Sequence, residues 1–492
     1  MSSYILAIDQ GTTSTRAFLI DATMRVVAVA QQEFQQFFPK PGWVEHDAEE
    51  IWASVLQTIG AVLKKSGVDP KKIAGIGVTN QRETTVVWDR ATHTPIHRAI
   101  VWQCRRTAAA CEQLRNAGFA AAIHAKTGLV LDAYFSATKI AWILDHVPNA
   151  RLQAENGILA AGTIDSFLAW RLTNGRAHVT DVSNASRTML MDLVRCAWDE
   201  TLCEQFRVPM KILPRIVDSS AVVGATKNVP GLPDGIPIAG LIGDQQAALC
   251  GQACFSIGQA KCTYGTGSFI MMHTGERPIF STRGLLTTVA WRRENRTVYA
   301  LEGASFIAGA AVQWLRDGLG IITSSSEIEA LAARAASTDG VMFVPALAGL
   351  GAPHWRPEAR GIITGLTRGS TAAHLARATL EGIALQQCDL LQTMHEESGV
   401  TMRELRVDGG ACANNLLMQM QADFLDAPII RPQQIETTVL GAAFMAGLAV
   451  GVWSSEKEIS AHWQEEHRFA PAMSVADREA KLAAWRAAVA KA

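Results

Sequence analysis

Several things that usually announce a protein's business are missing from this 492-residue sequence. There is no excess of either charge: 45 Lys and Arg stand against 46 Asp and Glu. A nucleic-acid-binding protein would carry a basic excess or stripe, so that partner is not expected. The nine cysteines are an odd count with no CxxC pair, which points to free thiols in a reducing compartment rather than a disulfide or zinc framework. His93 and His97 have helical spacing, but Pro95 between them spoils a metal pair. No basic leader followed by an apolar core opens the chain, so export is not expected. The longest uncharged apolar stretch, Val439 to Trp453, is too short and too rich in Gly and Ala for a membrane span and reads as a buried helix. From these absences a soluble cytoplasmic protein is expected. Two nucleotide signatures are also missing: GxxxxGK[ST] occurs nowhere, and no GxGxxG follows a strand.

What is present is a strand-turn-strand pattern that occurs twice. Tyr4 to Ile8 is an apolar run ending on Asp9, followed by Gln10-Gly11-Thr12-Thr13-Ser14 and a second apolar run, Ala17 to Ile20. Gly11 lets the backbone bend close to a ligand, while Thr12, Thr13 and Ser14 offer hydroxyl and amide donors, with Arg16 just beyond. Such a turn suits phosphate oxygens, and Asp9 at the strand end suits a hydrated Mg²⁺, which takes only one or two carboxylates. One such turn could equally be a polar hairpin with a capping Asp. The plan recurs, however, at Ala260 to Thr274, where Gly265-Thr266-Gly267-Ser268 differs from the first tetrapeptide at one position. Two phosphate-type hairpins, each opening half of the chain, predict a duplicated architecture whose halves face each other across a cleft.

Other candidates lie where predicted strands end, which is where α/β sheets collect ligands. Ile73 to Thr79 delivers Arg82 and Glu83, a donor and an acceptor together, as a polyhydroxylated molecule requires; a surface ion pair is the alternative. Trp102 offers an aromatic wall or simple packing, and Tyr134 a phenol for a substrate hydroxyl or a lid on the core. Gly231 to Gly235 is the clearest turn cluster, and the first domain is expected to end soon after it. Ile236 to Ile242 then runs into Gly243-Asp244-Gln245-Gln246. Asp244 is either an N-cap worth about 1 kcal/mol or a carboxylate aimed into the cleft. Phosphoryl transfer to an alcohol needs one group to accept the hydroxyl proton and Mg²⁺ to neutralise phosphate charge, and Asp244 with Asp9 would supply both. In the second half, Asp408-Gly409-Gly410-Ala411 joins a strand to a helix starting near Asn414, a turn that admits a nucleotide against the main chain or merely packs tightly.

The segments DQGTTSTRA, NQRETT, VWQCRRT, YFSATK, GDQQAAL, TYGTGSF, LEGASFIAGAAVQWLRD, GLGAPHW, GLTRG and VDGGACANN resemble, in order and spacing, the glycerol kinases of the FGGY carbohydrate kinases. The resemblance implies an α/β fold of two ribonuclease-H-like (actin/hexokinase-like ATPase) domains flanking a central cleft. Residues 1–252 would bind glycerol and carry the base, and residues 253–492 would bind the nucleotide. It implies MgATP-dependent phosphorylation of glycerol to sn-glycerol 3-phosphate and ADP, with Asp244 as general base. Arg82, Glu83, Trp102, Tyr134, Asp244, Gln245 and Phe269 would surround glycerol. Thr12, Thr13, Ser14, Arg16, Thr266, Gly309, Gln313, Gly410 and Asn414 would contact ATP, and Asp9 with Asp244 would hold Mg²⁺. For Gly309, Gln313 and Phe269 the resemblance is the only ground. It also implies a homodimer or homotetramer. The segments through which some members are regulated depart from pattern: Lys227 to Pro233 lacks the Arg-bearing glycine loop for fructose 1,6-bisphosphate, and Ser219 to Thr226 contains no His. A kinase of another polyol or ketose, such as erythritol or a pentulose, and a non-catalytic ATP-dependent sensor are the competing readings.

Overall fold

The computed structural model describes residues 3–356 and 358–492. The opening apolar run pairs with its successor as a hairpin, β1 (Tyr4–Gln10) and β2 (Ser14–Asp21), in a register that sets Asp9 opposite Arg16. Both strands extend further than their apolar residues, because Gln10, Ser14 and Thr15 continue the main-chain ladder. The hairpin continues into β3 (Val26–Glu33), and a 19-residue amphipathic helix, α1 (Ala48–Ser66), covers one face. Its N-cap Asp47 accepts from the Glu49 N–H, and Gly67 closes it in the left-handed conformation. The strands β4 (Ile73–Asn80), β5 (Ser220–Ala225) and β6 (Pro237–Gly243) complete a six-stranded sheet of order β5-β6-β4-β1-β2-β3, followed by helix α2 (Asp244–Gly251).

The second half repeats this plan. Its strands β7 (Gln259–Tyr264), β8 (Ser268–Gly275), β9 (Leu286–Arg293), β10 (Arg296–Ser305), β11 (Glu404–Asp408), β12 (Ile429–Pro432) and β13 (Glu465–Phe469) form a seven-stranded sheet of order β9-β10-β8-β7-β11-β12-β13. Within it, β10-β8-β7-β11-β12 matches β3-β2-β1-β4-β6 in order and direction: three antiparallel strands, then two parallel additions. Helix α3 (Gly309–Asp317) follows β10, and the 27-residue α4 (Ala372–Ser398) packs on the sheet. Helix α5 (Thr437–Ala449) follows β12 as α2 follows β6.

The two repeats meet through those equivalent helices. A Cβ on Gly251 of α2 would lie 1.8 Å from the Thr437 carbonyl oxygen, and one on Gly441 of α5 would lie 1.9 Å from that of Ala247. The pairs 247/251 and 437/441 are each one helical turn apart, so the contact is reciprocal. Helix α5 also crosses the first sheet. There a Cβ on Gly77 would lie 2.2 Å from the Ala442 oxygen, and one on Gly240 would lie 2.6 Å from the Ala446 nitrogen. This close approach explains the Gly- and Ala-rich apolar stretch near the C-terminus, which forms a buried helix and its return turn. Among the described residues no helix is long and apolar enough to cross a membrane.

Between β4 and β5 the chain makes a long excursion around a five-stranded sheet that includes Thr85–Asp89, Ala99–Ile100 and Leu159–Thr163. Its own core, containing Val101, Phe135 and Ile140, anchors the loops that carry Trp102 and Tyr134.

Gly441→Ala should destabilise the protein by about 1–3 kcal/mol, the usual cost of overpacking. Gly60→Ala, on the exposed face of α1 with nothing within 4 Å of the added methyl, should stabilise it by about 0.5–1 kcal/mol. Urea denaturation of the two variants side by side checks both signs.

Candidate active site

The end of β6 delivers Asp244 as the first residue of α2, with Gly243 in the capping position. Asp244 is therefore not the N-cap: its Oδ1 accepts from the adjacent Gln245 N–H at 2.7 Å, and its side chain keeps 31% of its surface exposed. Arg82 Nε stands 3.2 Å from the same oxygen. Burial raises the Asp244 carboxyl above its ordinary value; Arg82 and Lys261 pull it down, and the negative charge of Asp9 adds to the rise. Lys261, wholly buried on β7, donates to Gln245 Oε1 and, at 2.9 Å, to Thr263 Oγ1. The carboxylate at the mouth of β6 thus lies in the field of groups from both halves of the chain.

Behind Asp244, Arg82 and Glu83 are buried, which rules out the surface ion pair. Arg82 donates through Nη1 and Nη2 to the two oxygens of Glu302 at 2.5 and 2.9 Å, and through Nη1 to Gln246 Oε1 at 3.2 Å. Glu83 accepts from Arg187 Nε at 2.7 Å, and Arg187 Nη2 reaches Glu302 at 3.1 Å. Burial pushes the Glu302 carboxyl up, but Arg187 and Arg82 more than offset this and hold it at about 2. Glu83 has φ +60°, uncommon for a residue with a Cβ, and its carbonyl is gripped by Ser136 Oγ at 3.0 Å and Lys139 Nζ at 3.4 Å. That grip joins the Arg82-Glu83 turn to the loop bearing Tyr134. Tyr134 meets Trp102 edge to face at 5.6 Å and lies 5.7 Å from the Arg187 guanidinium. Burial, then the charge of Glu83, raises its phenol well above the ordinary value, so it is a hydrogen-bonding group and not a base.

The first hairpin adjoins this cluster. Trp102 Nε1 donates to Thr12 Oγ1 at 3.0 Å, tying the aromatic wall to the first turn. Thr13 is exposed, and Ser14 Oγ accepts from Gln31 at 3.1 Å. Arg16 is paired on two sides: it bonds Asp9 Oδ2 at 2.5 Å and Glu436, beside α5, also at 2.5 Å. In the second half, the Gly309 N–H donates to the Gly265 oxygen at 3.0 Å, seating the start of α3 under the turn that carries Thr266. A Cβ at 309 would come within 2.6 Å of that oxygen. Gln313 is exposed one turn further along α3, and Phe269 is half-buried on β8 opposite Ala304. Gly409 adopts φ +84° under the Tyr264 main chain, and nothing lies within 4 Å of a Cβ built on Gly410. Asn414 caps the helix Asn415–Leu425 by accepting from the Leu417 N–H at 2.8 Å, which leaves its amide nitrogen free to donate to a ligand.

Among the described residues no group of three or more His, Cys, Asp or Glu is arranged to hold a metal. Burial raises the Asp9 carboxyl, Arg16 pulls it down and Glu436 adds to the rise, while the charge of Asp9 in turn raises the Asp244 carboxyl. Two acidic groups without a protein cage fit Mg²⁺, which retains waters and takes its other ligands from phosphates. Sequence reasoning missed Glu302, Arg187, Lys261 and Gln246. The available signal was a lone charge inside an uncharged run, as Lys261 is within Ala260 to Thr274 and Glu302 within Thr297 to Leu315.

Comparison with known proteins gives this arrangement a lineage. The N-terminal domain model of the FGGY family of carbohydrate kinases matches residues 4–251 and the C-terminal domain model matches residues 260–450. A glycerol kinase of Dechloromonas aromatica is 56% identical over 486 residues, 99% of this chain and 97% of that protein. A glycerol kinase of Trichlorobacter lovleyi is 59% identical over 471 residues, 96% of this chain and 95% of that one. The solved structure of Plasmodium falciparum glycerol kinase with ADP superposes with a TM-score of 0.95 at 38% identity, covering 100% of this chain and 98% of that one. With the doubled fold, both hairpins and both domain models accounted for over almost the whole length, the chain belongs to the FGGY family of carbohydrate kinases.

Proposed function

We propose that this protein transfers the γ-phosphoryl group of ATP to a terminal hydroxyl of glycerol, giving sn-glycerol 3-phosphate and ADP. The observation that carries the choice of acceptor is the 54–59% identity, over nearly the full length, to proteins named glycerol kinase. The site is chemically suited to such a transfer. Asp244, partly open and aimed from the end of β6, accepts the hydroxyl proton as the glycerol oxygen bonds to phosphorus and the bond to ADP breaks. Arg82, Glu83, Tyr134 and Gln245 supply the donors and acceptors that a triol requires, with Trp102 and Phe269 against its carbon chain. Thr12, Thr13 and Ser14 on one side and Thr266, Gly309 and Gln313 on the other flank the phosphates, and the open surface over Gly410 and Asn414 admits the rest of the nucleotide. Arg16, paired with Glu436 and Asp9 and partly exposed, keeps N–H donors for a phosphate. Mg²⁺, held at Asp9 with Asp244, would neutralise phosphate charge when bound. The nine free thiols are all buried, which suits a cytoplasmic protein.

The direct test is ADP release from MgATP with glycerol, erythritol, xylulose and gluconate in turn; glycerol should give the highest kcat/KM, and preference for a pentulose would overturn the assignment. Asp244→Asn should lower kcat by about 10²-fold or more, since a positioned base contributes roughly 10²–10⁴. Affinity for ATP in the absence of Mg²⁺, measured by calorimetry, should stay within about twofold, because the proposed direct nucleotide contacts lie on other segments. Arg82→Ala should raise the glycerol KM by about tenfold or more, as a polar site left unpaired costs about 1–3 kcal/mol. It should also lower the thermal midpoint, because Glu302 loses its bidentate partner.

A further inference from the structure

Arg82 is the donor on which the polyol reading most depends, and its orientation is imposed from the other half of the chain. A guanidinium offers five N–H bonds in one plane, so a carboxylate that takes both terminal nitrogens fixes the plane and its direction together. Glu302 does this from β10, 220 residues along the chain, with Oε2 on Nη1 at 2.5 Å and Oε1 on Nη2 at 2.9 Å. The remaining edge, Nε, is thereby turned toward Asp244 at 3.2 Å and Glu83 at 3.7 Å. The same Oε1 takes Arg187 Nη2 at 3.1 Å, and Arg187 in turn holds Glu83. The side chains of Arg82, Glu83, Arg187 and Glu302 are at most 2% exposed, so water does not substitute for any of these bonds. Both Glu302 oxygens accept from the arginines, and its side chain is buried behind them. Its influence on the alcohol is therefore exerted through them.

We propose that Glu302 is a positioning residue for the alcohol end of the site: from the second half of the chain it orients Arg82, and through Arg187 it steadies Glu83. The inference rests on the glycerol kinase reading above. It predicts that glycerol affinity, and not nucleotide affinity, depends on a residue of β10.

The experiment compares the full-length protein with Glu302→Gln, which keeps the shape but loses the charge, and Glu302→Asp, which keeps the charge but withdraws it by one methylene. Glycerol KM should rise about tenfold or more in Glu302→Gln and by an intermediate factor in Glu302→Asp, with the MgATP KM within about twofold of the parent in both. The upward shift of the thermal midpoint produced by saturating glycerol should shrink in the same order. An unchanged glycerol KM in both variants, with losses confined to the thermal midpoint or to total activity, would assign Glu302 a structural role only and overturn the proposal. If Glu302→Gln does not accumulate as folded protein, Glu302→Asp decides: a raised glycerol KM supports the proposal and a parental one overturns it. A failure of the activity reading is distinguishable, because it appears in the parent as no glycerol-dependent ADP release.

Discussion

The contact on which the architecture depends is the main-chain approach of α2 to α5. It requires glycine at 251 and 441, because a single added carbon on either would lie within 2 Å of a carbonyl oxygen on the facing helix. Through it the two repeats share one spine. Helix α2 begins with Asp244, and α5 begins beside Glu436, which holds Arg16. The same helix contact therefore sets the position of the proposed base relative to the first hairpin. Both helices are almost wholly buried between the two sheets, and van der Waals packing of small residues, not side-chain pairing, fixes their separation.

Electrostatics inside this frame follow from burial. Arg82, Arg187, Glu83 and Glu302 balance as two positive and two negative charges, and each is hydrogen-bonded to at least one of opposite sign. Paired in this way, buried ions add little net stability, but removing one partner typically costs about 3–5 kcal/mol. The cluster's value therefore lies in geometry. It turns one arginine edge toward Asp244 while Lys261 approaches from β7, so that the carboxylate is buried enough to be perturbed and open enough to be reached.

The arrangement also links the proposed polyol site to the first of the proposed phosphate turns. Trp102 touches Tyr134 on one side and donates to Thr12 on the other. Lys139 and Ser136 hold the Glu83 carbonyl and so bind the Tyr134 loop to the Arg82-Glu83 turn. A substrate hydroxyl and a phosphate would thus be positioned by one connected set of bonds, which is how a transfer with little covalent chemistry gains its rate.

The sequence by itself determined the two hairpins, their glycines, Asp9 and Asp244 at strand ends, and the buried C-terminal helix, because each is written in neighbouring residues with a period of two or of one helical turn. It also placed the Arg82-Glu83 turn, but not what those charges meet. The Arg82 to Glu302, Arg16 to Glu436 and Trp102 to Thr12 bonds join residues 220, 420 and 90 positions apart. No local pattern encodes such separations, since they arise only when distant segments meet in the folded chain. For the same reason Asp244 could be read as a cap or as a cleft carboxylate from its neighbours alone. Only the folded chain, by putting Gly243 in the capping position, excluded the cap, and it set Arg82 and Lys261 around Asp244.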